Sequence, residues 1–168
     1  LELSTSPASG TRLILPGGVL PAEERPGYVA RTAPLINIRY GGGETWKPSY
    51  AWSGPKPSNG YPFGQCTWYA AVRRAELGMP VGNQWGNGGS WAASGRAAGR
   101  TVNGVPAAGA VMVNGGGYGH VAIVEAVADG KVYISEMNGY RGGGGWGRVG
   151  YIVIPWGEAT SGMYQYVH

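Results

Sequence analysis

Residues 120–138 read HVAIVEAVADGKVYISEMN. Two runs rich in Val, Ile and Tyr flank Asp129-Gly130, a pair suited to tight reversal, so the stretch predicts antiparallel strands at 120–128 and 131–138. Strand side chains alternate between faces, so the turn decides which residues share a face with His120. A two-residue loop at 129–130 puts Glu136 opposite His120. A three-residue loop at 128–130, with Gly130 left-handed in a bulge, makes the parity even, so that Asn138 lies across from His120 and Glu136 one diagonal step away.

Upstream, residues 66–77, CTWYAAVRRAEL, are rich in helix formers, and Gly78 followed by Pro80 supplies a stop. Cys66 therefore falls in the first turn of a helix. Apolar stretches at 105–113 and 148–154 add two further strands, while 81–104 reads as irregular with a short helical piece around Ser90 to Ala98. Helices first and an antiparallel sheet afterwards give an α+β domain. Residues 1–58 differ in character: most of the twelve prolines lie there, with turn pairs such as Pro16-Gly17 and Pro26-Gly27. They read as a linker or N-terminal extension, in which Leu13-Ile14-Leu15 could add a strand, and 59–168 reads as the domain.

Charge and cysteine content limit the function. The net charge of +4 admits a polyanionic partner, but the basic residues are scattered and form no strip or recognition helix, so nucleic acid is not expected. No apolar run is long enough for a membrane span. One cysteine and two histidines fall short of a structural zinc set and exclude an internal disulfide, so no metal is assigned and the thiol is either inert core or reactive. Seven Trp and eleven Tyr against one Phe favour rings that line a groove while keeping one polar edge wet.

A thiol in the first turn of a helix meets the positive end of the helix dipole, which favours thiolate. A thiolate nucleophile needs a base that returns a proton to the leaving amine. His168 ends the chain, whereas His120 opens a strand after Gly115-Gly116-Gly117-Tyr118-Gly119, whose missing side chains leave space for a substrate backbone. Three acidic residues compete to orient His120: Asp129 belongs to the turn, Glu125 lies five residues away on the opposite face, and Glu136 remains. The expectation is therefore an odd loop or a bulge in the hairpin, with Ala122, Val124, Ala126, Val132 and Ile134 receiving the helix that carries Cys66. The backbone N–H of Cys66 is the first oxyanion donor, with Gln65 or Tyr61 as side-chain helpers.

YPFGQCTWYAAVRRAELG at 61–78, NQWGNGGSWA at 83–92, PAAGAVMVNGGGYGHVAIVEAV at 106–127 and VYISEMNGY at 132–140 resemble, in order and spacing, the CHAP family of cysteine, histidine-dependent amidohydrolases/peptidases, especially its staphylococcal secretory antigen type. The resemblance spans about residues 60–168. It implies a papain-like α+β fold, export to the cell wall, and cleavage of peptidoglycan at the muramoyl-L-alanine bond or within the stem and cross-bridge. It makes Cys66 the nucleophile and His120 the base, with Glu136 and Asn138 as orienting residues, and places Trp68, Trp85 and Trp91 around the groove. Gly139 departs from the SEMNY continuation frequent in the family and lengthens the loop after the strand. No cofactor is required, and the protein is expected to act as a monomer, alone or as one domain of a larger cell-wall protein. The alternatives are a non-catalytic wall-binding module, a cysteine protease or acyltransferase acting on proteins, and a zinc enzyme with Cys66, His120 and Glu136 as ligands.

Overall fold

The computed structural model describes residues 38–40 and 43–168, so Leu13-Ile14-Leu15 lies outside the described residues. The expected hairpin is present as β6 (His120–Ala128) and β7 (Lys131–Met137). Its turn has two residues, Asp129 and Gly130, both at positive φ (51° and 69°), the backbone of a primed hairpin turn. Ala128 faces Lys131 and Ala126 faces Tyr133, but Val124 then pairs with Ile134 and Ile123 with Ser135. Glu125 is the extra residue of a β-bulge within β6. The even parity thus comes from this bulge, not from a three-residue loop with Gly130 in it. Carried onward, the register brings Asn138 level with His120.

The sheet extends on both sides. β1 (Ile38–Tyr40), β2 (Gly43–Thr45), β3 (Tyr50–Ala51), β4 (Val102–Asn103), β5 (Val111–Asn114), β8 (Arg148–Pro155) and β9 (Tyr164–Val167) complete it. The order is β1-β2-β8-β7-β6-β5-β9-β4, with β3 also pairing β8 and every pairing antiparallel. β1, β2 and β3 lie before residue 59, so the sheet starts earlier than the expected boundary at 58/59. Two- and three-residue strands are too short to show alternation, and Tyr50 and Ala51 are both exposed. The expected strand at 105–113 shrinks to β5, because the chain turns at 107–110 before entering the sheet.

Among the described residues three α-helices complete the α+β fold: α1 (Cys66–Glu76), α2 (Trp91–Ala97) and α3 (Trp156–Ala159). α1 stops where expected, with the Gly78 N–H bonded to the Ala75 carbonyl and Gly78 left-handed at φ 71°. Its small face, Cys66, Ala70 and Ala71, packs on Val111, Val113, Val121 and Ile123. Trp68, Tyr69 and Val72 meet Met137, Val149 and Tyr151. The helix therefore covers the face of β6 opposite the one expected. Ala122, Val124, Val132 and Ile134 belong to a separate cluster with Ala159, Tyr164 and Tyr166, and Ala126 is exposed. The physical reason is polar: Glu125, on the helix side, receives a two-pronged ion pair from Arg73 of α1 at 2.9 and 2.8 Å and a hydrogen bond from Ser135 Oγ at 2.6 Å. No described helix is long and apolar enough to cross a membrane.

Candidate active site

Cys66 is the first residue of α1. Its N-cap, Gln65, is extended (φ −94°, ψ 156°) and makes no side-chain cap, so the first-turn N–H groups are left to whatever occupies the space before them. The thiol is 8% exposed and hydrogen-bonds the imidazole of His120. Burial pushes the thiol up, but the hydrogen bond and positive charge of His120 and the backbone N–H groups of Val121 and Thr67 outweigh it, and the net shift is downward.

His120 opens β6 opposite Asn114, the last residue of β5. Its Nε2 lies 2.6 Å from Glu136 Oε2, and Glu136 is 5% exposed. Burial alone would lower the imidazole, yet the bonds to Cys66 and Glu136 and the charges of both hold it up at about 10. The thiol is thus shifted toward thiolate and the imidazole toward imidazolium, each in part by the other, with the Glu136 carboxyl bonded to the ring at Nε2.

Three glycines, Gly88, Gly119 and Gly139, shape this arrangement. At Gly119 (φ 67°) a Cβ would collide with the backbone of Gly89, and at Gly88 one would press on the backbone of His120. The backbone that approaches the histidine is therefore the protein's own 88–90 turn, fastened by the Gly89 N–H to the Tyr118 carbonyl at 2.9 Å. At Gly139 a Cβ would occupy the position of the Glu136 carboxylate. The residue that departs from the family pattern leaves the room in which Glu136 sits.

Asn138 takes a left-handed backbone (φ 61°) and donates its side-chain N–H to Gln65 Oε1 at 2.8 Å, so among the described residues its bond goes to Gln65 rather than to His120. Gln65, Cys66, His120, Gly119 and Asn138 line one cleft of about 770 Å³, together with Tyr61, Tyr118 and the 83–88 segment. Tyr61 lends its ring, but its hydroxyl donates to the Gly82 carbonyl at 2.5 Å and accepts from the Trp85 N–H at 3.1 Å, which commits it to the loop rather than to an oxyanion. Trp68 and Trp85 do not line the cleft. Trp68 is 1% exposed, with its indole N–H on the Pro57 carbonyl, and Trp85 packs edge-on against the fully buried Trp91. Indoles of that size fill the core where α1 and α2 meet the sheet. The Arg73–Glu125–Ser135 clamp beneath the helix escaped the sequence reading, although the Arg and Glu were both visible. Among the described residues no three His, Cys, Asp or Glu side chains are grouped to hold a metal ion.

Residues 56–138 match the family model of the CHAP domain. The chain is 41% identical over 112 residues to "Probable autolysin SsaALP" of Staphylococcus aureus, covering 66% of this chain and 40% of that protein. It is 49% identical over 88 residues to the Staphylococcus aureus "Staphylococcal secretory antigen ssaA2", covering 51% of this chain and 32% of that one. Among solved structures, an N-acetylmuramoyl-L-alanine amidase from Staphylococcus aureus superposes with a TM-score of 0.58 at 31% identity, over 64% of this chain and 31% of the other. The chain therefore spans less than half the length of these relatives.

Proposed function

We propose that the chain, whose residues 56–138 match the family model of the CHAP domain, hydrolyses an amide bond of peptidoglycan with Cys66 as nucleophile, in a papain-like arrangement of helix-borne thiol and sheet-borne imidazole. The observation that carries the reading is the bonded series Cys66, His120, Glu136 opening into a cleft. Glu136 takes Nε2, which leaves Nδ1 to face the thiol.

The Cys66 thiolate attacks the scissile carbonyl carbon, and its electron pair moves to the oxygen. The N–H of Cys66 and the side-chain amide of Gln65, whose oxygen is held by Asn138, are placed to stabilise that charge. As the C–N bond breaks, imidazolium gives its proton to the leaving amine and a thioester remains on Cys66. Neutral His120 then takes a proton from water, hydroxide attacks the thioester, and the carboxylic product leaves as the thiolate is restored. Glu136 stabilises the imidazolium and fixes the ring.

The substrate assignment rests on the relatives, one named a probable autolysin and another an N-acetylmuramoyl-L-alanine amidase. The secretory antigen name of a third supports an extracellular, wall-associated location. The test is mass spectrometry of fragments released from purified peptidoglycan, with Cys66→Ala alongside. Stem peptides freed intact from glycan identify an amidase, and cuts within stem or bridge an endopeptidase. Equal release by wild type and Cys66→Ala overturns the cysteine mechanism, and release by neither leaves a wall-binding module.

A further inference from the structure

We propose that the cleft selects substrate whose groups around the scissile bond are uncharged, so that stem peptides carrying primary amides are preferred over the same stems carrying free carboxylates. The inference rests on the hydrolase reading above and adds the charge class of the substrate.

The lining carries it. Five side-chain amides face the cleft: Gln65 and Asn138 beside the nucleophile, and Asn83, Gln84 and Asn87 along the 83–88 segment. Among the described residues no Lys, Arg, Asp or Glu lines it, and its ionisable groups are Cys66, His120 and two tyrosines. An amide both donates and accepts, so such a wall matches peptide bonds, N-acetyl groups and primary carboxamides in either sense. A carboxylate only accepts, and it is bound well where a guanidinium or ammonium meets it.

The cations that could serve are committed elsewhere. Arg73 is tied to Glu125 and Glu76, Arg141 to Glu158, and Lys56 lies over the Phe63 ring at 4.2 Å. Among the described residues the cleft therefore offers a substrate carboxylate no Lys or Arg partner, while its five amides can pair with a carboxamide in either sense.

The experiment uses two muropeptides identical except that the stem carboxyl groups nearest the scissile bond are free in one and amidated in the other. With the wild-type chain, kcat/KM should be at least tenfold higher for the amidated form. Asn87→Lys, which supplies a cation at the rim, should bring the two rates within about twofold. Equal rates, or faster cleavage of the free acid, overturn the inference. Direct binding to the Cys66→Ala protein separates the two claims. Tighter binding of the amidated form supports the charge selection even if wild type cleaves neither, an outcome that overturns the hydrolase reading alone, whereas equal binding with normal turnover of both overturns the selection alone.

Discussion

Asn138 and Gln65 are joined by a single 2.8 Å hydrogen bond that links the end of β7 to the residue immediately before Cys66. Asn138 reaches Gln65 because it leaves the strand in a left-handed conformation, with its own N–H on the Gly145 carbonyl at 3.0 Å. The bond fixes which end of the Gln65 amide is occupied and turns its N–H groups to other use.

Gln65→Ala should therefore lower kcat by about 10²-fold or more, the usual cost of one oxyanion donor, with little change in KM. Asn138→Ala should reproduce much of that loss, and the double variant should be no worse than Gln65→Ala. Steady-state kinetics on a muropeptide measures this, and additive losses would show that the two residues act separately.

The pH profile follows from the directions at the site. The thiol is shifted down and His120 is held up at about 10. Activity should rise through an acid limb as the thiolate forms, stay high through neutrality, and fall near pH 10 as the imidazolium loses the proton meant for the leaving amine, with the two groups titrating as a pair. Glu136→Gln removes a charge that holds the proton, so it should move the alkaline limb to lower pH and leave partial activity. An unmoved limb would count against Glu136 as the partner of His120.

Gly139→Ala should displace the Glu136 carboxylate, since the added methyl takes its place. The expected result is a loss of about tenfold or more in kcat, of the order of one lost charged hydrogen bond, with the alkaline limb lowered as in Glu136→Gln. Combined with Glu136→Asp, whose side chain is one methylene shorter, the same substitution should cost much less. Gly104→Ala, where a methyl meets nothing within 4 Å, is the control. Undiminished activity in Gly139→Ala would refute the steric argument.

Glu125→Ala removes the acceptor of two Arg73 hydrogen bonds and of Ser135 Oγ, leaving a half-buried guanidinium with only the exposed Glu76 as a partner. A destabilisation of about 2 kcal/mol is expected, below the range for fully buried pairs because Arg73 keeps some contact with solvent. Urea unfolding measures it, and a change under about 0.5 kcal/mol would place the hold on α1 in apolar packing alone.

The hairpin, α1 and the residues of the cleft floor were legible because each has a local signature: alternation around Asp-Gly, a helix former run ending at Gly78, a lone thiol at a helix start. What escaped depends on contacts distant in sequence. The side of β6 that receives α1 is decided by Arg73 meeting Glu125, 52 residues away, and periodicity alone does not choose between faces. β1 to β3 are too short to carry a pattern, and β2 and β3 take their places by pairing with β8 residues about a hundred positions on. Trp68 and Trp85 fall at groove positions by the family resemblance, whereas core packing is the ordinary role of an indole, and burial decides for the core only in three dimensions.

The thiol favoured as thiolate on α1 is the only sulfhydryl in these 168 residues. A thiolate is the form that peroxide oxidises, and the sulfenic acid so formed has no second thiol within the chain to condense with. Recovery then depends on a small thiol from the surroundings, and without one the group advances to the irreversible sulfinic state. The same electrostatics that prepare Cys66 for acyl transfer make oxidant exposure a clock on the protein's working life outside a reducing medium.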